Sequence, residues 1–376
     1  MKKYGWFGLF CAILTFFAMV SWGCQYVSGG GAEEEVGRVT FLDVGQGLSV
    51  LLEYGGRYAL YDSGPDSANF IEKLRDHGVD SLDWVLLSHN HRDHLGGLLE
   101  LLADPSAPSR DLSSGPSDYP RSVSSDNSRS VSSNGRRAIP VGRLMVGPDT
   151  SGGILVDSVL RSARRRGIPI DTLHRGDQVS LGKVLLTVLW PVEYLQVGEN
   201  GASVVLRGRL VDDGSGASAG NVGVSAGGTD EGSFLLTGDL DSLGECRLLE
   251  VTSDVSADLL QVGHHGSVHS STLRFLSGVS PRYAVISVGA RNSYGHPAEP
   301  VLRKLQYVLG SAAISNSATP SADATISAAD TATSPDSADA EISATTSNSA
   351  DVTNLFRTDR EGDVTFMLVP GVGVVP

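Results

Sequence analysis

The sequence predicts an α/β protein in which two β-sheets are layered between helices. Strand-like runs rich in β-branched and other apolar residues recur from residue 38 to residue 369. Segments with helical apolar spacing separate many of these runs. Hairpin-like strands come first along the chain and strand–helix units follow, so the mixture favours sheets that carry helices on their outer faces.

The individual elements follow from these patterns. The predicted strands are 38–44, 48–54, 57–62, 83–88, 143–147, 183–190, 203–210, 233–238, 257–263, 283–289 and 362–369. The predicted helices are 67–78, 151–167, 242–252 and 297–310, and another is expected to begin at Asp93 and His94. Loops at the strand ends are expected to carry the function.

Three tracts interrupt the predicted domain at 104–138, 211–232 and 311–350. They are rich in Ser, Ala, Gly and Asp and poor in large apolar residues, so we predict disordered surface insertions. The net charge is −14, but neither of the last two tracts contains Lys or Arg, and both contribute to the negative excess. The acidic total therefore does not exclude an anionic substrate.

The N-terminus is predicted to be a targeting segment. Lys2 and Lys3 precede an apolar run at residues 6–20, which is short for a membrane span of about 20 residues and fits a signal peptide. The run ends in "SWGC", which resembles a bacterial lipoprotein signal, with Cys24 as the lipidated residue. The expected organisation is a signal peptide at 1–24, a linker at 25–35 and one domain at 36–370. Ordinary cleavage and secretion, or an uncleaved anchor, are the alternatives.

The stretch "SHNHRDH" places three histidines and an aspartate directly after a predicted strand. His89 and His91 are two residues apart on an extended segment, so their side chains can point the same way. Asp93 and His94 then begin a helix. Imidazole and carboxylate groups are ligands for zinc and similar metals, and the pattern therefore predicts a metal site.

The combined motifs resemble a known family. HxHxDH, the strand end "ALYDSG" with Asp62 and the strand end "FLLTGD" with Asp239 look like the metallo-β-lactamase fold. "FLDVGQG", "VGHHGSVHSS", "ISVGARNSYGHP" and "FRTDREGDVTF" follow in an order that resembles the extracytoplasmic hydrolase domain of the competence family ComEC. This resemblance implies a four-layer αββα fold with the three insertions.

The resemblance also implies roles for individual residues. His89 and His91 would bind a first metal, Asp93 and His94 a second, and Asp239 would bridge both. One of His264 and His265 would be a further ligand, and the choice between them stays open. The candidates outside this ligand set are Asp62, which would orient the histidine loop, Ser267, which could bond phosphate oxygens, and His296, a ligand or a donor to the leaving oxygen. Asp93 and His296 are the candidate catalytic residues.

Three positions depart from the family pattern. Other metallo-β-lactamase hydrolases carry a further His ligand where this chain reads "GENGASVVL", with Glu199 and Asn200. His91 stands where ComEC proteins usually have Asp, and Leu48 stands where they generally have Asp. The missing histidine makes the ligand set of the first metal incomplete.

The resemblance implies an exported binuclear hydrolase that uses a hydroxide shared by two divalent cations, zinc first and manganese as the alternative. The expected reaction is phosphodiester hydrolysis with DNA as substrate, performed by a stand-alone protein. The expected partners are nucleic acid, the membrane through Cys24, and a separate DNA-uptake channel protein. Hydrolysis of another ester, of the phosphocholine or lactone type, is an alternative, and a non-catalytic surface-binding protein is another. The basic segment "RSARRRG" (161–167) is either a substrate-binding surface or a solvated helix face.

Overall fold

The structure is a computed structural model that describes residues 36–66, 69–103, 138–148, 153–192, 200–211, 232–252, 254–317 and 353–376. The predicted signal peptide with Cys24, the linker at 25–35, Glu199 and most of the three predicted insertions lie outside these residues. Within the described ranges, no helix combines the length and apolar character that a membrane span needs.

Eight strands form the first sheet, in the order β15-β14-β1-β2-β3-β4-β5-β6. Their bounds are β1 Gly37–Phe41, β2 Val50–Tyr54, β3 Arg57–Tyr61, β4 Trp84–Leu87, β5 Leu144–Val146, β6 Ile170–Thr172, β14 Val364–Val369 and β15 Gly373–Val375. Strands β3 to β6 are parallel, and the remaining pairs are antiparallel.

Seven strands form the second sheet, in the order β13-β12-β11-β10-β9-β8-β7. Their bounds are β7 Gln178–Leu181, β8 Val184–Trp190, β9 Val205–Leu210, β10 Phe234–Leu236, β11 Leu259–Gln261, β12 Tyr283–Ile286 and β13 Leu355–Arg357. Strands β10 to β13 are parallel, and β7 to β10 pair antiparallel.

Seven α-helices are assigned in the described part of the chain. They are α1 Phe70–Asp76, α2 Arg92–Leu101, α3 Ile154–Arg165, α4 Ser242–Val251, α5 Leu273–Val279, α6 Glu299–Ser317 and α7 Thr358–Glu361. Helix α6 continues to Ser317, so the predicted insertion at 311–350 overlaps the end of this helix.

The layers follow from the alternation of side chains along the strands. In β2, Val50 and Leu52 are buried between the two sheets, whereas Leu51 packs with the core under α1, α2 and α3. In β10, Phe234 lies in the core between the sheets, whereas Leu235 packs with α4, α5 and α6. Because both faces of each sheet are covered, the order of layers is αββα, and the predicted fold is confirmed.

Contacts between the two sheets cluster where the parallel strands end. The Tyr61 hydroxyl donates to the Val204 carbonyl (2.6 Å), and the Val204 amide donates to the Ser88 carbonyl (2.9 Å). The Ser287 hydroxyl donates to the Gly47 carbonyl (2.9 Å). The carboxyl ends of both sets of parallel strands therefore meet in one fixed region.

Candidate metal centre

The histidine loop connects β4 to α2. His89 follows the end of β4 and is 2% exposed, and His91 is the N-cap residue of α2. Asp93 lies in the first turn of the helix, and His94 beside it is fully buried. The strand-to-helix turn expected from "SHNHRDH" is thus present, with its imidazoles directed inwards at the junction of the two sheets.

Four side chains form one group of potential metal ligands: Asp93, His94, Asp239 and His265, with one donor atom each within 4.8 Å of the others. The Nε2 atom of His94 lies 3.1 Å from Oδ1 of Asp239. The Nε2 atom of His265 lies 3.3 Å from Oδ2 of Asp93 and 3.5 Å from Oδ1 of Asp239. Loops after β4, β10 and β11 supply this group, hereafter the DHDH group.

A second group shares one residue with the first. His89, His91 and Asp239 also offer one ligand atom each within 4.8 Å of one another. We call these three residues the HHD group. Asp239 therefore lies between two sets of donors, which is the position that the resemblance implies for a bridging carboxylate.

The donor atoms fit a cation. Among the described residues, Nε2 of His89, His94 and His265 and Oδ1 of Asp239 are buried without a hydrogen-bond partner. Buried polar atoms of this kind are costly unless they bind something. Burial alone would raise the pKa of Asp239, but the nearby His265 and His94 hold it well below its usual range. Burial alone would lower the pKa of His94, but the carboxylates of Asp239 and Asp62 raise it well above its ordinary value. The site therefore favours positive charge.

The two histidines of "HHGS" have different positions. His265 is 3% exposed, and its Nδ1 donates to the Ser287 carbonyl (2.8 Å), which directs Nε2 towards the DHDH group. His264 lies outside both groups, with Nε2 3.8 Å from Oδ2 of Asp239. Both residues have left-handed backbone conformations, with φ of 52° and 55°. Such strain is typical of functional turns, and here it places His265 rather than His264 among the donors.

His296 approaches the same region from the loop after β12. Its ring centroid lies 5.8 Å from that of His264 and 6.5 Å from that of His265. Burial and the neighbouring His265 and His264 lower the pKa of His296 to about 4. The residue is not a member of either donor group but lines the space beside them.

Part of the chain matches a known family model, and most of its length is similar to curated proteins. Residues 42–110 match the model of the metallo-beta-lactamase superfamily. The chain is 28% identical over 291 residues to "ComE operon protein 3" of Bacillus subtilis (strain 168), covering 72% of this chain and 30% of that protein. It is 28% identical over 281 residues to "Competence protein ComA" of Neisseria gonorrhoeae, covering 73% and 30% of the two chains. The chain is a ComEC-like protein of the metallo-β-lactamase fold.

A third relative is "Recombination protein 2" of Haemophilus influenzae, at 27% identity over 289 residues, with 75% of this chain and 28% of that protein covered. The ComEC-like chain therefore spans less than a third of the length of these curated relatives. Solved structures with a similar arrangement include the metallo-beta-lactamase fold protein YhfI of Bacillus subtilis, with 13% identity, a TM-score of 0.39, and 72% and 93% of the two chains covered. Human tRNase Z, short form, shares 13% identity at a TM-score of 0.36, with 67% and 92% covered.

Asp62 holds the histidine loop of the ComEC-like chain in place through hydrogen bonds to its carboxylate. It is fully buried, and its Oδ2 accepts a hydrogen bond from Nδ1 of His94 (2.7 Å). Its Oδ1 accepts the Ser88 amide (2.7 Å), and its Oδ2 accepts the Ser88 hydroxyl (2.6 Å). The position fits the orienting role that the resemblance implies for Asp62.

Ser88 is a site residue that the sequence reasoning missed. Its hydroxyl hydrogen goes to Asp62, so its oxygen can accept the Nδ1 proton of His89, 3.0 Å away. That arrangement leaves Nε2 of His89 free for the HHD group. A serine between a strand and a histidine motif gives no sequence signal of this role.

Gln261 is a second residue without a sequence signal. Its Oε1 accepts the Thr237 and Gly238 amides (2.7 and 2.8 Å), and its Nε2 donates to the Gly238 carbonyl (3.0 Å). The Asp239 amide donates to the Ser203 hydroxyl (3.1 Å). These bonds fix the "TGD" turn and with it the shared carboxylate.

The remaining predicted residues lie around the groups. Ser267 is 3% exposed, and its hydroxyl accepts the His269 amide (3.3 Å), so it stabilises the turn after the histidine pair. Asn200 places Nδ2 3.4 Å from Nε2 of His264. Leu48 is fully buried in the core between the sheets, and its amide donates to the Asp93 carbonyl (3.1 Å).

The basic segment 161–167 lies away from the donors. Arg166 donates to the Leu101 carbonyl (2.7 Å) at the C-terminal end of α2, whereas Asp93 occupies the first turn of the same helix. A helix of this length separates its ends by ~15 Å. The structure therefore favours the solvated helix face over a substrate-binding surface at this centre.

Proposed function

We propose that this chain is an exported, binuclear metal-dependent phosphodiesterase that acts on nucleic acid. The observation that carries the proposal is the pair of donor groups that share Asp239. A carboxylate between two sets of imidazoles is what two neighbouring cations require, because it reduces the repulsion between them.

Two divalent cations would supply Lewis acidity, lower the pKa of water and stabilise the charge of a phosphoryl group in displacement. The HHD group would hold one cation, and the DHDH group would hold the other. We expect zinc because imidazole nitrogen dominates the donors, and manganese is the alternative. The HHD group offers three donors and the DHDH group four, so we propose the weaker binding for the HHD group.

Residues of the chain itself would position the substrate and orient the metal ligands. His296 lines the space beside the donor groups, where its imidazole N–H can donate to a phosphoryl or leaving-group oxygen. Asp93 is a donor in the DHDH group, and its carboxylate also presents a fixed negative charge to His265. Asp62 and Ser88 hold the histidines in the tautomers that direct Nε2 to the centre.

The relatives support nucleic acid as the substrate. One relative is named as a protein of the ComE operon, one as a competence protein, and one as a recombination protein. We therefore propose a DNA-related role for this chain, with a separate DNA-uptake channel protein as its partner. Residues 1–24 support export, and Cys24 is the proposed lipid anchor in the cell envelope.

The test is a panel of substrates for the purified full chain with zinc or manganese. We expect cleavage of single- or double-stranded DNA that EDTA abolishes and that Asp239→Asn abolishes. Turnover of a phosphocholine ester or a lactone without cleavage of DNA would instead establish the alternative ester substrate. DNA binding without turnover of any substrate would establish a non-catalytic binding protein.

A further inference from the structure

We infer that Tyr294 is a stacking platform for a nucleobase next to the scissile phosphate, which makes single-stranded nucleic acid the preferred substrate. The inference rests on the proposed phosphodiester hydrolysis and adds to it the form of the substrate and a specificity-determining residue.

A line of aromatic rings runs from the DHDH group to the solvent. The rings of His265 and His296 are stacked at 6.5 Å with an interplanar angle of 27°. The rings of His296 and Tyr294 are stacked at 5.6 Å with an angle of 23°. Tyr294 at the end of the line is 52% exposed. A base that stacks on Tyr294 would extend this line, and its phosphate would lie on the side of the donors.

The loop that carries Tyr294 is held in one conformation. The Nδ2 atom of Asn292 donates to the carbonyls of Gly289 (2.8 Å) and His296 (2.7 Å). Its Oδ1 accepts the amides of Tyr294 (3.2 Å) and His296 (3.0 Å). The Gly289 amide donates to Oε1 of Gln46 (3.2 Å), which ties the loop to the first sheet. A platform that is already ordered loses little conformational entropy on binding.

Two exposed apolar side chains lie close in sequence to residues of the DHDH group. Leu243 follows Asp239 and is 52% exposed, and Val268 follows His265 and is 54% exposed. The Ser242 amide donates to the His269 carbonyl (2.7 Å), which joins these two loops. Single exposed apolar residues are ordinary, but here Leu243, Val268 and Tyr294 lie within four residues of Asp239, His265 and His296, respectively.

The charge of the Tyr294 loop favours binding of the phosphate backbone of a nucleic acid. Residues 287–298 contain Arg291 and no Asp or Glu. Arg291 is exposed and has no ion pair within the described part of the chain. The same loop thus supplies a cation for backbone phosphates and an exposed aromatic ring for unpaired bases. A duplex keeps its bases stacked inside, so the platform serves a single strand.

The experiment compares two fluorescent oligodeoxynucleotides of equal length, one with bases and one in which every residue is abasic. The full chain, Tyr294→Leu and Tyr294→Phe are measured for KM in the presence of metal and for Kd in EDTA. Tyr307→Leu on α6 is the matched control because Tyr307 is 46% exposed but lies on another surface element. Metal content and the thermal midpoint verify that each variant is folded.

We expect Tyr294→Leu to raise KM and Kd for the base-containing strand roughly tenfold, with the abasic strand unaffected. Tyr294→Phe and Tyr307→Leu should keep the wild-type values. Equal effects on both strands, no effect on either, or tighter binding of a duplex than of the single strand would overturn the inference. If the wild-type chain cleaves no phosphodiester, the proposed function fails. The Kd comparison then still decides on the platform, since the absence of base-dependent binding overturns it.

Discussion

The tautomers of the histidines at this centre follow from single hydrogen bonds to neighbouring residues. The carbonyl of Ser287 can only accept, so Nδ1 of His265 carries the proton. The buried Asp62 accepts from Nδ1 of His94 and from the Ser88 hydroxyl. In each case the Nε2 atom faces the donor groups, where a bound cation would take the place of its proton.

The role of Ser88 leads to a prediction for metal affinity. Ser88→Ala removes the group that bonds both Asp62 and His89, so His89 can change its tautomer. We expect metal affinity to fall by about 10- to 100-fold, as is usual for residues that orient metal ligands. Competition with a chelator measures this change. Ser233→Ala is the control, since Ser233 is equally buried at the start of β10, and an equal loss in both variants would contradict the role of Ser88.

The position of His296 leads to a prediction for catalysis. His296→Gln removes an imidazole that lines the space beside the donors but is in neither donor group. We expect kcat to fall by 100-fold or more, in the range of general acid–base effects, with the metal content unchanged. Elemental analysis and kinetics on one preparation measure both quantities. A variant that loses metal together with activity would show that His296 is a ligand.

At the scale of elements, Glu245 ties α4 to α5. It is 1% exposed, and its two oxygens accept the amides of Ser271 (2.5 Å) and Thr272 (2.8 Å) at the start of α5. Burial raises the pKa of Glu245 to about 7, although these bonds and Lys304 on α6 act in the opposite direction. The loop between the histidine pair and α5 is thus fixed by one buried carboxyl group.

This shifted pKa predicts how stability changes with pH. The folded chain holds the Glu245 proton more tightly than the unfolded chain, so the contribution is present below about pH 4.5 and is lost as the pH rises to about 7. We expect wild type to lose about 3 kcal/mol of unfolding free energy relative to Glu245→Gln over this range. Urea denaturation at several pH values measures it. Glu250→Gln on the exposed face of α4 is the control, and parallel pH profiles for wild type and Glu245→Gln would contradict the prediction.

The sequence allowed much of the fold and the main donors to be predicted, because both rest on local patterns. The strand-to-helix turn at "SHNHRDH" and the apolar strand ends before Asp62 and Asp239 are visible without any tertiary information. Helix α5 was not predicted, and its last turn contains Ser277 and Gly278, which are weaker helix formers than alanine or leucine. The choice of His265 over His264 depends on two left-handed backbone angles, and the roles of Ser88 and Gln261 depend on contacts between distant strands. No local pattern encodes those features.

At the scale of the whole molecule, the described residues form a layered core, and the three tracts at 104–138, 211–232 and 311–350 are predicted to be disordered insertions. Residues 318–352 lie between α6 and β13 and consist mainly of Ala, Ser, Thr and Asp. Within the described residues, buried apolar side chains from both sheets and from their helices form the core. We therefore predict that the fold and the donor groups do not depend on residues 318–352.

This division predicts the result of a replacement. We expect a chain in which a Gly/Ser linker of roughly a dozen residues replaces 318–352 to keep its metal content and to change in stability by about 1 kcal/mol or less, because loop-closure entropy depends weakly on length. Urea denaturation and elemental analysis check both quantities. A collapse of the unfolding transition in this variant and in one with a scrambled 318–352 sequence would show that the tract makes specific contacts and would contradict the prediction.

Elemental analysis of the purified full chain shows whether the two donor groups that share Asp239 each hold one divalent cation. We expect two metal ions per chain for wild type and for the control His174→Ala, one for His91→Ala, one for His94→Ala, and fewer than one for Asp239→Ala with its fold verified by circular dichroism. One metal or none in wild type, or an unchanged content in His91→Ala, would contradict this expectation.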